Sequence, residues 1–230
     1  NGSVNVTIGS GQSLVVGAES LTLHAQPSMS GVTRHEIYLS SGNSSIRISN
    51  GLGGGRLGGL LDVREQLIDP VFNEIGRMGM AISDTFNAQH SLGVDLNGAL
   101  GKNFFSDINT TSTTFSRVST SVNNAGSTSL SINVDDTSLL GVNNYELRYS
   151  AGTGNYTLTD LTTKSVVSTI AAPVGLPATV ALAGEGFSIN FLAGAPADGD
   201  SFMLTPTRFG AAVIDAEIRN TKEAAPYTHL

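Results

Sequence analysis

The chain has 230 residues, of which 12 are basic and 19 acidic, so that its formal net charge is −7. A chain this poor in basic residues has no stripe of lysine and arginine for phosphates, which argues against binding to nucleic acids and to anionic lipids. No apolar run approaches the roughly 20 residues of a membrane span, and the absence of cysteine excludes disulfides, thiolate nucleophiles and cysteine-based zinc sites. Ser, Thr, Asn and Gly together account for 93 residues, a composition that favours strands and turns over helix interiors.

Residues 1–50 alternate between apolar and polar positions in four short runs. The runs are Val4–Ile8, Leu21–Leu23, Ile37–Leu39 and Ile46–Ile48, and Gly, Ser and Asn turn signals separate them. This pattern predicts four strands or extended segments, and the turn signal at Ile8–Gln12 predicts that the first two strands pair as a hairpin. Because the chain begins at Asn1 without an initiator methionine, we expect it to be a piece of a longer protein.

Residues 57–90 show a different periodicity, with apolar residues three and four positions apart. This spacing predicts one long amphipathic helix, and its later part, from Val71 to Phe86, forms a narrow stripe that is typical of a coiled-coil seam. No second helical pattern of comparable length occurs in the chain. The partner of the stripe is therefore either outside this chain or the neighbouring sheet.

Several residues within this helix predict local features. Asp69-Pro70 combines a good N-cap with a residue that cannot donate a hydrogen bond, so the helix either kinks or restarts there. Gly76 and Gly79 each cost about 1 kcal/mol relative to Ala in an exposed helix interior, which is understandable if another helix packs closely against them.

Residues 95–225 return to short, regularly spaced apolar runs with Gly and Asn turns between them, which predicts an antiparallel sandwich or open barrel. The predicted fold class is therefore mainly β with one long, Pro-disturbed α-helix. The predicted strands are Phe115–Val122, Ser129–Val134, Tyr145–Tyr149, Tyr156–Thr159, Val166–Ile170, Ala178–Leu182, Phe187–Phe191, Ser201–Thr205 and Ala212–Ile218.

The sharpest motif match is Gly53–Gly58, which formally fits the G-x-G-x-x-G pattern of dinucleotide-binding turns. However, the preceding strand alternates instead of running continuously apolar, and no second βαβ unit follows. We therefore interpret the glycines as a flexible entry into the helix.

A hydrolytic triad requires a histidine, and none of the four in this chain lies in a catalytic motif. Arg34, His35 and Glu36 are adjacent, but neighbours in a strand point to opposite faces. His90, at the end of the predicted helix, is more simply explained as a cation that interacts favourably with the helix dipole. The four residues are His24, His35, His90 and His229.

Three acidic segments are candidates for glycosidase carboxylates or calcium ligands: Asp95–Gly98, Asp135-Asp136 and Asp198–Asp200. None has the full spacing of a calcium loop, and Asp and Asn are ordinary turn formers. The absence of tryptophan also weakens a sugar-binding interpretation. The five glycosylation sequons, at Asn1, Asn5, Asn43, Asn109 and Asn155, are about as many as chance predicts. We therefore predict no catalytic, cofactor-binding or metal site.

One segment at the start of the helix resembles a known family. Gly54–Arg64 is similar to the G-G-x-L-x-G-L-L-x-x-R segment of the flagellar hook-associated protein 1 family. Further segments in the chain resemble the same family or, near the end, flagellar axial proteins in general. They are Ser10–Gly17, Phe86–His90, Gly93–Gly98, Phe104-Phe105, Gly199–Phe202 and Pro206–Arg208.

The resemblance implies a non-enzymatic structural adaptor that joins the flagellar hook to the filament. Residues 1–94, with the helix 57–90, would belong to an inner domain associated with a coiled coil, and residues 95–225 would form an outer all-β domain. The implied location is the extracellular flagellum, reached through the flagellar secretion apparatus without a cleavable signal peptide. The implied partners are the hook protein, the second junction protein, further copies of the chain and an export chaperone at a C-terminal segment outside this chain.

Two other functions remain open from the residues alone. The β domain could be a secreted adhesin or carbohydrate-binding module, or it could carry a hydrolase whose acidic residues would be Asp135, Asp136, Asp198 and Asp200. We also expect the isolated chain to be monomeric, because the assembly surface that the resemblance implies requires terminal segments outside it.

Overall fold

The structure is a computed structural model that describes residues 4–9, 11–28, 31–41, 44–224 and 227–228. It is mainly β with one long helical segment, and its strands pair antiparallel, which confirms the predicted fold class. The chain divides into two compact units, residues 1–70 and residues 71–230. The predicted division into domains 1–94 and 95–225 stays a prediction.

The first unit contains two small antiparallel sheets of three strands each. The predicted hairpin around Gly9–Gly11 is present, but its second strand follows the turn directly, before the predicted run at Leu21–Leu23. In chain order the strands are β1 (Val6–Ile8), β2 (Gln12–Val16) and β3 (Glu19–Ser20) in one sheet, and β4 (Thr22–Ser28), β5 (Gly31–Ser41) and β6 (Ser44–Arg47) in the other.

The core of this unit is small. Within the described ranges, its core cluster contains three buried apolar residues, Leu39, Ile48 and Leu52. An ion pair adds to it, because Arg64 Nη2 lies 2.9 Å from Glu36 Oε1, and Glu36 is almost fully buried. Arg64 also donates to the carbonyl oxygen of His35 at 2.7 Å. The guanidinium therefore attaches the helical segment to β5.

The helical segment runs from α1 (Gly55–Val63) through a π turn at Arg64–Ile68 into α2 (Asp69–Ser91), which confirms the predicted helix 57–90 to within two residues. The Asp69 N–H donates to the Arg64 carbonyl five residues back. This wide turn lies just before Pro70, whose ring would clash with the carbonyl four residues back in a regular helix. Among the helices of the described residues, none combines the length and apolar character that crossing a bilayer requires.

The second unit is a two-sheet β domain with α2 packed beside it. Its elements are β7 (Gly93–Val94), α3 (Thr111–Ser116), β8 (Val118–Thr120), β9 (Ser129–Val134), β10 (Tyr145–Ser150), β11 (Asn155–Asp160), β12 (Val166–Ala171), β13 (Ala178–Ala181), β14 (Phe187–Ala193), β15 (Ser201–Leu204) and β16 (Tyr227–Thr228). Five strands form one sheet in the order β12-β11-β10-β15-β8, three form the other in the order β13-β14-β9, and β7 pairs with β16.

Side chains from both sheets form one apolar core, as expected for a sandwich. Leu147, Leu158 and Phe202 come from the larger sheet, and Ile132 and Ile189 from the smaller one, and all five are almost completely buried. The alternation of apolar and polar residues along these strands therefore directs one side of each sheet inward.

Two predicted strands are wrong in part. Phe115–Val122 is a strand only at Val118–Thr120, because residues 111–116 form α3, where the Thr110 hydroxyl accepts a hydrogen bond from the Thr113 N–H. Ala212–Ile218 is not a strand either. It contains part of a 3-10 turn, Gly210–Val213, and a single β-bridge from Ala216 to Phe105. In both places local hydrogen bonds or packing override β propensity.

Candidate functional site

The most unusual surface of the second unit is an apolar row along α2. Val71, Ile75, Met78, Ile82 and Phe86 are each 48–53% exposed. Their spacing of four, three, four and four residues places them on one side of the helix, because each residue advances by about 100°. We call these five residues the apolar stripe. The predicted seam is therefore present and open to solvent in this chain.

The opposite side of α2 is buried although it carries small and polar residues. Asn73, Met80 and Ser83 are at most 1% exposed, and together with Gly76 and Asn87 they repeat at intervals of three and four residues. We call these five residues the seated face. The chain therefore buries its polar helix face and exposes its apolar one, the reverse of an ordinary surface helix.

Two asparagines connect the seated face to the β domain. Asn73 Nδ2 donates to the Val142 carbonyl at 2.7 Å and to Asn144 Oδ1 at 3.0 Å. Asn87 donates to the Phe105 carbonyl at 3.0 Å and accepts from the Phe105 N–H at 2.8 Å. Because buried polar groups need partners, these bonds define one orientation of the helix about its axis.

Glycines allow α2 to approach the β domain closely. A Cβ on Gly76 would lie 1.8 Å from the Thr207 carbonyl oxygen, and a Cβ on Gly79 would lie 2.9 Å from the Ala211 Cα. The partner is therefore the segment around the 3-10 turn Gly210–Val213 and not a second helix, which corrects the expectation for these glycines.

Arg117 completes the seat of α2. Its guanidinium donates to Asn109 Oδ1 at 3.0 Å, to the Ile132 carbonyl at 3.1 Å and to the Ile108 carbonyl. It also lies 3.5 Å from the Met80 sulfur. Burial lowers the pKa of Arg117 to about 10. The group remains charged at neutral pH, and its hydrogen bonds to neutral acceptors link α2 to the sandwich.

The two ends of the apolar stripe differ. At the C-terminal end, the ring of Phe86 lies 5.7 Å from that of Phe105 and 6.1 Å from that of Phe104, measured between centroids. Nearer the start, Glu74 and Arg77 form an ion pair of 2.5 Å on the solvent side of α2. Phe86 thus has aromatic partners in its own chain, although it is as exposed as the other four residues of the stripe.

The acidic segments weighed as sites serve as turn acceptors in the structure. Asp95 accepts from the backbone of Asn97 and Ala99, and Asp136 from Ser138, and these hydrogen bonds lower the pKa of both carboxyls. In the β domain the remaining carboxylates also accept bonds from nearby groups. Asp135 accepts from Asn133 and Ser188, Asp198 from Ala151, and Asp200 from Ala125, Gly126 and Ala197.

A polar cavity of about 250 Å³ lies beside the C-terminal half of α2 and is lined by two carboxylates, Asp84 and Asp107, together with Asn87 and Asn103. Asp84 accepts a hydrogen bond from the Thr137 hydroxyl at 2.9 Å. Within the part of the chain that the structure describes, no three or more His, Cys, Asp and Glu side chains come together as a metal site would require.

The remaining sequence candidates are dispersed over both units. Gly54, with φ +79°, is the N-cap of α1, so the glycine motif is a helix start. His24 stacks on Tyr38 with 5.9 Å between the ring centroids, and His90 lies within hydrogen-bonding distance of the Lys102 carbonyl.

Among the sequon residues, Asn109 forms hydrogen bonds with Arg117 and with the backbone of Val134. His35 and Asn155 lie in β5 and β11, Asn5 accepts from the Gly17 N–H, and Asn1, Asn43 and His229 lie outside the described residues.

Two family models match the chain. The model described as the helical domain of flagellar hook-associated protein FlgK matches residues 1–105, and the model described as the D2-like domain of flagellar hook-associated protein 1 matches residues 118–206. The chain belongs to the flagellar hook-associated protein 1 family. This confirms the resemblance that the glycine-rich entry to α1 and the later segments indicated.

Relatives of this family support the assignment over nearly the whole chain. Flagellar hook-associated protein 1 of Salmonella typhimurium is 31% identical over 227 residues, and that of Escherichia coli is 29% identical over 225 residues. The alignments cover 97% of this chain but 38% of each relative, so the chain spans less than half the length of the curated proteins it matches.

A solved structure supports the fold. The flagellar hook junction protein FlgK from Burkholderia pseudomallei superposes with a TM-score of 0.79 at 30% identity, covering 97% of this chain and 40% of that one. The mainly β architecture with one long helix is therefore that of this family.

The sequence predicted the apolar stripe of α2 but not the seated face as a whole. The apolar stripe was predicted from its spacing, whereas the seated face was recognised only at its glycines. Its signal was present as the same three-and-four spacing of Asn73, Gly76, Met80, Ser83 and Asn87. Small and polar residues in that spacing indicate a closely packed, hydrogen-bonded helix face as well as a solvated one.

Proposed function

We propose that this chain is part of a structural subunit that joins the hook of the bacterial flagellum to its filament, and that it acts by binding without catalysis. The family relationship supports this proposal, since the relatives are named as hook-associated and hook junction proteins. The observation that carries it is the exposed apolar stripe of α2, opposite a face that packs against the β domain. Nothing in the geometry of the site favours the adhesin or hydrolase alternative.

The stripe is suited to lengthwise contact with another helix. From Val71 to Ile82 its steps of four, three and four residues are those with which helices interlock in coiled coils. Covering the exposed half of each large side chain contributes about 1 kcal/mol, so the five residues together contribute on the order of 5 kcal/mol before the cost of association. The occupant we infer is helical and comes from the part of the full-length protein outside this chain or from a neighbouring subunit.

The same proposal covers partners and location. The subunit works in the extracellular flagellum, which it reaches through the flagellar secretion apparatus without a cleavable signal peptide. Its partners are further copies of itself, the hook protein and the second junction protein, with an export chaperone bound before assembly. The match to hook-associated and hook junction proteins supports association with other flagellar axial components.

Substitution of the stripe in the full-length protein tests this function. Ile75→Glu combined with Ile82→Glu places two charges in the centre of the stripe, and we expect cells that depend on this variant to lose filament attachment and swimming. The matched control is Val166→Glu combined with Val174→Glu, because both valines are exposed on the β domain, at 60% and 107%. Normal filaments on cells with the stripe variant would refute the proposed function.

A further inference from the structure

The methionines of this chain differ sharply in exposure. Met78 is 50% exposed in the middle of the apolar stripe, whereas Met80 is fully buried on the seated face and Met203 is 5% exposed in β15. Two helical positions correspond to a rotation of about 200°, so nearly opposite sides of the same helical turn present one thioether to solvent and the other to the protein interior. Because the chain lacks cysteine, its thioethers are its sulfur groups open to oxidation.

We propose that Met78 is a site of oxidative modification that controls the assembly competence of the apolar stripe. The reagent is a peroxide, of which hydrogen peroxide is the simplest. The thioether sulfur attacks one peroxide oxygen, the O–O bond breaks, an S–O bond forms, and proton transfer to the departing oxygen releases water. Sulfur loses two electrons and the peroxide gains them, and methionine sulfoxide reductases reverse the change.

The position of Met78 determines the consequence. Ile75 and Ile82 lie three residues before it and four residues after it, so any helix that covers the stripe must cover this side chain. The sulfoxide oxygen is a strong acceptor, and burying it without a donor weakens association by about 10- to 100-fold. This part of the proposal depends on the proposed function of the stripe.

Within the described residues, the other two methionines are buried, and Met29 lies outside the described residues. Met80 contacts Arg117 and belongs to the core of the β domain, so its sulfur is much less accessible to peroxide. Met78 belongs to the exposed side of α2, so its oxidation leaves the seat of the helix intact. The modification therefore changes assembly before it changes stability, and it acts on subunits whose stripe is not yet covered.

The first test measures selectivity and does not depend on the function of the stripe. The full-length protein is treated with hydrogen peroxide and digested with trypsin, which releases residues 78–102 as one peptide that contains both Met78 and Met80. Fragment-ion spectra give the rate at each residue. We expect Met78 to oxidise at least about tenfold faster than Met80, in line with their exposure. Equal rates would overturn the proposal.

The second test measures the effect of Met78 oxidation on filament assembly. When synthesis of the full-length protein is first induced in sublethal peroxide, cells with wild-type protein or with the control Met80→Leu should form fewer filaments than without peroxide, whereas cells with Met78→Leu should form the same number in both conditions. Met78→Gln should impair attachment without any oxidant. If Met78→Leu cells are as sensitive as wild type, Met78 does not control assembly. If the double glutamate variant of the stripe also forms normal filaments, it is the proposed function that fails, and the selectivity result stands apart.

Discussion

The two faces of α2 have similar residue spacing, but one face is buried and the other is exposed to solvent. The seated face contains two asparagines, a glycine, a serine and one methionine, and it is buried against the β domain, while the stripe contains five large apolar residues and remains half exposed. Close approach and specific hydrogen bonds hold the seated face, because Gly76 admits the Thr207 carbonyl and Asn73 and Asn87 satisfy backbone groups. The comparison shows that apolar periodicity identifies a face that favours burial but not the molecule that buries it.

The largest expected effect comes from adding one methyl group to the seated face. Gly76→Ala should lower the free energy of unfolding by about 4 kcal/mol, because the new Cβ would overlap the Thr207 carbonyl and separate the helix from the domain. The control is Gly59→Ala in α1, where a Cβ meets no heavy atom within 4 Å and should add up to about 1 kcal/mol. Thermal unfolding followed by circular dichroism measures both. A stabilising Gly76→Ala would show that the helix does not lie this close.

Truncating the two methionines of α2, which lie two residues apart, compares an exposed position with a buried one in the same helix. Met80→Ala should cost about 3 kcal/mol of unfolding free energy, since the side chain is fully buried and leaves a cavity. Met78→Ala should change it by less than about 0.5 kcal/mol, as is usual for surface positions. Urea denaturation of the isolated chain gives both values, and equal losses would mean that the stripe is covered within the chain itself.

The smallest effect is expected at the ion pair beside the stripe. The hydrogen bond from Arg77 lowers the pKa of Glu74 below its ordinary value of 4.5, so the pair contributes stability above that pH and loses it as the pH falls through the lowered pKa. Glu74→Gln should therefore be slightly less stable than wild type at pH 7 and equal to it in acid, once the pH lies below the lowered pKa. A difference in melting temperature that persists in acid would assign the effect to packing instead of charge.

Much of the fold could be predicted because its signals are local. The helix bounds followed from residues three and four apart, and Ser129–Val134 is a strand in both the prediction and the structure. The failures have physical causes. Thr110–Ser116 has threonines that bond to nearby backbone groups and cap a short helix, and residues 212–218 lie where α2 and the Phe104-Phe105 segment pack against them.

The candidate site was predictable in part for the same reason. Five exposed side chains of the stripe repeat with helical spacing, so the sequence alone indicates which side of the helix is apolar. The seated face depends on groups far away in the chain, such as Val142, Arg117 and Thr207. Spacing within one segment carries no information about these distant groups.

The amino-acid sequence by itself determined that this protein is mainly β, that residues near 57–90 form a helix, and that one side of that helix is a continuous apolar row. It also carried enough of the family's pattern to indicate the flagellar hook-associated proteins. Only the tertiary structure decided which side of α2 faces the protein. The reason is that burial depends on partners: the glycine and asparagines of the seated face fit this particular β surface better than the larger apolar residues do, so the stripe stays half exposed.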